Sequence, residues 1–102
     1  MGTDDPRLTR QTVAVLSALL QVRELSGAEI GKLTKLSSGT LYPILYRLEE
    51  VGWLNSQWEM GDPKQLGRPR RRYYRITAEG QRKVNQVVTE LSPGGGRLAW
   101  EL

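Results

Sequence analysis

The sequence contains neither cysteine nor histidine. Disulfides, thiol nucleophiles, imidazole bases and the usual zinc ligands are all removed, and no cofactor is expected. No apolar run approaches membrane-spanning length, and the N-terminus lacks the apolar core of a signal peptide. A cytoplasmic protein with no membrane partner is the expectation. No two carboxylates stand together on an apolar face, as a general acid–base pair requires. Glu49 and Glu50 are adjacent in sequence, so they diverge on a helix into solvent, and an enzyme is not expected. Acidic residues are also missing from residues 30–48 and from residues 64–75, and the second stretch holds six basic residues. The net charge of +4 is thus concentrated. A local basic patch on an otherwise neutral chain points to a polyanion.

What is present is organised around residues 36–54, LSSGTLYPILYRLEEVGWL. Ser37 and Ser38 are consecutive N-cap residues. At about 100° per residue, Leu41, Ile44, Leu45, Leu48 and Val51 share one side. Gly39, Tyr42, Pro43, Tyr46, Arg47 and Glu50 share the other. Gly52 stands where a left-handed residue ends a helix. Pro43 has no N–H to donate and makes the start of this helix irregular.

The 102 residues amount to one domain with a modest core, which a partner subunit would supplement. In chain order, Thr9 caps a helix running to about Gln21. Val13, Leu16 and Leu20 make one apolar stripe on it. Leu8, Thr12, Val15, Leu19 and Val22 make a second beside it. That is wider than the stripe a surface helix needs. Either this helix is set deep in its own domain, or one stripe meets its own core and the other a second subunit. Residues 23–25 connect to Ser26, which opens a capping box with Glu29. The short helix that follows turns Ile30, Leu33 and Leu36 inward and Lys32 and Lys35 outward. Two short helices joined by so tight a turn form a helix-turn-helix pattern.

Residues 53–59 and 70–76 read as strands, with Arg72, Tyr74 and Ile76 on one face and Arg71, Tyr73 and Arg75 on the other. Residues 60–69 are a loop of turn formers. Thr77 caps a last helix, with Glu79 in its positive first turn. Val84, Val87, Val88 and Leu91 form its apolar stripe, and Ser92-Pro93 followed by three glycines stops it. The alternating tail RLAWEL follows.

Helix, helix, helix, strand, strand, helix is a mostly α, α+β winged helix-turn-helix. The domain reading is residues 1–76 for the DNA-binding unit, 77–92 for a dimerisation helix and 93–102 for a tail. In this context Lys64, Arg68, Arg70 and Arg71 lie on a wing beside a recognition helix and read as phosphate or minor-groove contacts. Ser38, Gly39, Thr40, Tyr42 and Pro43 come nearest the bases. Lys32 and Lys35 flank them from the preceding helix, and Arg47 reaches the sugar-phosphate chain. Leu8, Val15 and Leu19 of the first helix pair with Val84, Val87, Val88 and Leu91 of the last in a homodimer. A winged helix acting only as a protein–protein module is the alternative.

The runs SGTLYPILYRLEEVGWL and GRPRRRYYRITAEG closely resemble the PadR family of bacterial transcriptional regulators, over residues 8–91. The resemblance implies a dimeric repressor on double-stranded DNA, with the Gly-Thr-Leu-Tyr-Pro run opening the recognition helix. It also implies release of the DNA by a small molecule. Some short members hold flat aromatic compounds between subunits, against a tryptophan of the last helix. The late tryptophan here is Trp100, after the Pro-Gly-Gly-Gly break, and it is the expected contact of a small aromatic effector.

Overall fold

The stretch over residues 36–54 folds as expected, into a helix closed by Gly52. The computed structural model describes residues 5–91, with side chains through residue 87. Along the chain run α1 (Arg10–Gln21), β1 (Leu25–Ser26), α2 (Gly27–Thr34), α3 (Ser38–Glu50), β2 (Leu54–Trp58), α4 (Pro63–Leu66), β3 (Arg72–Ile76) and α5 (Ala78–Leu91). This is a winged helix-turn-helix.

Each helix starts where the sequence offers a cap. Thr9 accepts from the Thr12 amide at 3.2 Å, and Ser26 and Glu29 close both bonds of the capping box, at 3.1 and 2.8 Å. Thr77 accepts from the Gly80 amide at 3.0 Å. The end of α3 is a complete Schellman motif, in which Gly52 donates to the Glu49 carbonyl and Trp53 to that of Leu48. Gly52 takes φ 85°, the left-handed conformation that its lack of a Cβ allows. At the other end Ser37 is the cap, with no side-chain bond to the backbone. The Thr40 and Leu41 amides share its carbonyl. Pro43 therefore lies inside α3 and leaves the carbonyl of exposed Gly39 to solvent. The irregular start is present: with Ser37 as the cap, Pro43 is the sixth helical residue, beyond the first turn where a proline is tolerated.

Two small elements were not legible in the sequence. The connector before α2 becomes β1, which pairs antiparallel with β3 through Leu25–Tyr74 and Ser26–Tyr73. The sheet order is β1-β3-β2, so the wing is rooted in the helical domain by a third strand. The turn formers between the wing strands wind one turn of helix, α4, capped by Asp62.

Val15, Leu16, Leu19, Ile30, Leu41, Leu45, Leu48 and Leu54 are fully buried in one core shared by α1, α2, α3 and the sheet. Truncating any of these leucines to alanine is worth roughly 2–5 kcal/mol. This corrects the expected partition of α1. Val15 and Leu19, assigned to a partner subunit, pack inside their own chain. The apolar residues that α1 and its C-cap leave outside are Val13, Leu20 and Val22. Leu8 also packs against this core, and Val84 of α5 is buried in it. Val87 is half-buried, while Val88 and Leu91 lie outside the described side chains. The start of α5 is pinned by Gly80, where a Cβ would collide with the Trp53 carbonyl. No helix among the described residues is long and apolar enough to cross a membrane.

Candidate nucleic-acid interface

The outer face of α3 presents Ser38, Gly39, Thr40, Tyr42, Pro43 and Tyr46, all exposed. Beyond its own stretch of helix backbone and its chain neighbours, nothing lies within 4 Å of the place a Gly39 Cβ would occupy, so this end of the helix is open to approach. Arg47 continues the face and pairs with Glu50 at 3.3 Å. Lys32 and Lys35 stand exposed beside it on α2 and its C-cap. Tyr46, absent from the residues expected at the site, is 69 % exposed. It follows Tyr42 by one turn, and that spacing was its only signal.

Tyr42 is fixed on one side only. Its ring lies over Gly27 so closely that a Cβ there would collide with the phenol, yet 45 % of the residue stays exposed. Two adjoining grooves meet at it. One, of about 530 Å³, runs between α3 and the wing and is lined by Tyr46, Glu49, Glu50, Arg72 and Tyr74. The other, of about 390 Å³, joins the first turn of α2 to Trp58, Arg70 and Arg71 of the wing. Burial pushes the Tyr74 hydroxyl above its usual range at the back of both.

The wing itself is shaped by charge. Arg68 donates from both terminal nitrogens to the Glu59 carboxylate, at 2.7 and 2.8 Å, and the Arg71 amide donates to the same group at 3.1 Å. The Arg68 hydrogen bond and then that amide hold the Glu59 carboxyl far below its ordinary 4.5, at about 2. Arg68, expected on phosphate, is thus spent closing the wing loop across nine residues. Glu49, expected in solvent, instead accepts from the Ser56 hydroxyl at 2.5 Å and lies 3.7 Å from Arg72. Arg72 in turn covers the Trp58 ring, 5.0 Å from its centroid, so the end of α3 and the wing are tied together.

This pairing sorts the charges. Asp5, Glu24, Glu49, Glu50, Glu59 and Glu79 each have a cationic partner, namely Lys83, Arg75, Arg72, Arg47, Arg68 and Arg82. Glu29 and Asp62 accept from backbone amides. Every carboxylate among residues 5–87 is therefore engaged within the chain. Lys32, Lys35, Lys64, Arg70 and Arg71 are exposed and, like Arg7, Arg10 and Arg23, make no ion pair among the described residues; Arg70 and Arg71 line the groove that Tyr42 bounds. A cationic rim around exposed hydroxyls and aromatic edges suits the phosphates and groove edges of a duplex. Trp100 lies outside the described residues.

Comparison with known proteins agrees with this geometry. Residues 18–86 match the transcriptional regulator PadR-like family. A PadR family transcriptional regulator from Eggerthella lenta is 32 % identical, with a TM-score of 0.64; the match covers 79 % of this chain and 73 % of that one. AbfR of Staphylococcus epidermidis is 27 % identical with a TM-score of 0.68, over 82 % of this chain and 53 % of AbfR. Reduced AbfR bound to DNA superposes with a TM-score of 0.65 at 27 % identity, over 84 % of this chain and 58 % of that one. The chain thus spans little more than half the length of AbfR. Among curated proteins none matches.

Proposed function

This chain belongs to the PadR-like family of transcriptional regulators, and from that premise we propose that it is a repressor. It binds a near-palindromic operator as a homodimer and is released by a small-molecule effector. The observation that carries the reading is the sorting of charge. The carboxylates among residues 5–87 are paired within the chain, while Lys32, Lys35, Lys64, Arg70 and Arg71 have no ion pair among the described residues, and Arg70 and Arg71 share a groove with Tyr42 of the helix face that exposes Thr40, Pro43 and Tyr46. In this reading α3 lies in the major groove, where Thr40 and Tyr42 offer hydroxyls and Pro43 or Tyr42 packs on a thymine methyl. The wing sets register on the backbone.

Selection of bound duplexes from a random pool tests the core of the proposal, because it yields the operator and its symmetry together. A recurrent inverted sequence is the expected result. No preference for any duplex over random DNA at physiological salt would leave a protein–protein module in its place. On the selected operator, Arg70→Ala or Arg71→Ala should weaken binding to all sequences. Either change should flatten the salt dependence by about one unit for each phosphate that is no longer neutralised. For the effector, a planar aromatic compound should quench tryptophan fluorescence in the wild type and not in Trp100→Ala. Unchanged quenching in that variant moves the site to Trp53 or Trp58.

A further inference from the structure

The recognition helix has two flanks, and the wing occupies only one. Tyr42, Tyr46, Glu49 and Glu50 face the wing groove. Pro43, Ile44, Arg47 and Leu48 line a second furrow, of about 480 Å³, whose other wall is the segment ahead of α1. At about 100° per residue the two sets are centred roughly 150° apart around α3. The open face lies between them.

That segment is held in place. Leu8 packs against the core, Thr9 caps α1, and Asp5 is bound by Lys83 of α5 at 3.1 Å. Its cations resemble those beside the open face of α3 in having no partner carboxylate among the described residues. Arg7 lines the furrow, Arg10 opens α1, both are exposed, and neither has an ion pair among the described residues. Among the described residues the one carboxylate on the furrow wall, Asp5, is neutralised by Lys83. Arg10 also sits at the positive end of a helix whose first turn carries no acidic residue. A cation there is mildly unfavourable, and an anion beside it offsets that.

We propose that Arg7 and Arg10 form a second backbone clamp, contacting DNA phosphates beyond the base-reading segment on the flank of α3 opposite the wing. The recognition helix is then gripped from both edges, as an N-terminal arm and a loop contact bracket the reading helix of other three-helix DNA-binding domains. The inference rests on the reading of α3 as the base-contacting helix. It adds a footprint which that reading does not require. The positions are on the surface, and Leu8 and Thr9, which hold the segment, are left intact in the test.

The test compares wild type with the double variant R7Q/R10Q on two versions of the selected operator. One is trimmed to the bases read, and the other is extended at each end by about half a helical turn of arbitrary sequence. Wild type should bind the extended duplex more tightly than the trimmed one. The variant should bind both alike and match wild type on the trimmed duplex. Each phosphate that loses its arginine should also shrink, by about threefold, the affinity drop over a fourfold rise in salt. If the variant gains as much as wild type from the extension and keeps its salt slope, the arm does not touch DNA and the proposal falls. If wild type prefers no duplex over random DNA, the reading of α3 itself fails, which is a separate result.

Discussion

Lys35 closes α2 with φ 62°, the only non-glycine residue in the left-handed region among those described. That conformation costs a residue with a Cβ about 1–2 kcal/mol, and glycine would relieve most of it. A lysine held there keeps a cation at the helix-turn-helix corner, and the DNA reading supplies a reason for it. Lys35→Gly should therefore raise stability by roughly 1 kcal/mol in thermal unfolding while weakening DNA binding. Gain on both counts would remove Lys35 from the interface. Gly27 provides the converse case. Its missing Cβ is the space on which Tyr42 rests, and the atoms in the way are the far end of a side chain that can swing aside. Gly27→Ala should leave the melting temperature nearly unchanged, because alanine suits the first turn of a helix. It should nonetheless displace the phenol and reduce preference for the operator over random duplex. An unaltered preference would mean that Tyr42 does not read bases from that position.

At the scale of elements, the wing is a loop folded by one carboxylate. Glu59 has a folded-state value of about 2 against an ordinary 4.5. Its contribution is therefore fully present above pH 4.5 and is lost as the pH falls towards 2. The wing should keep its resonances in an NMR titration down to about pH 4 and lose them below, in the window between the two values. Glu59→Gln should loosen residues 60–71 at neutral pH, with little change in the core. A wing that keeps its chemical shifts in this variant would show that the strands alone shape it. The same pair marks the limit of reading the sequence. Caps, the capping box, Gly52 and the strand faces follow from local chemistry, so α1, α2, α3, β2, β3 and α5 were legible within a residue or two. The partner of Arg68 was not, since a charge run shows its own composition but not the carboxylate that folding brings across from Glu59. Glu49 was misread for the same reason. Its neighbours Ser56 and Arg72 are contributed by strands later in the chain.

For the whole molecule, the issue is which apolar surface is left once the core is closed. Both stripes of α1 looked available in sequence, and three-dimensional packing chose between their members. Val15, Leu16 and Leu19 went inward, whereas Val13 and Leu20 remain 42 % and 43 % exposed. Those two are seven residues apart, about 20° around the helix, and so share one outward face. On α5, Val84 is taken by the core and Val87 is half-buried. A two-fold dimer would join such faces reciprocally and set two recognition helices about 34–36 Å apart, one turn of duplex. Leu20→Glu should then dissociate the dimer in sedimentation at micromolar concentration. It should also reduce operator binding to that of a half-site, yet barely alter the unfolding of the monomer. Val15→Glu should instead unfold the chain, because that side chain is fully buried and an unpaired charge there has no solvation. The contrast separates interface from core. If Leu20→Glu sediments as the wild type does, the subunits meet elsewhere. A wild type that is monomeric at that concentration would leave each chain to bind its half-site alone, and the selected operator would lose its symmetry.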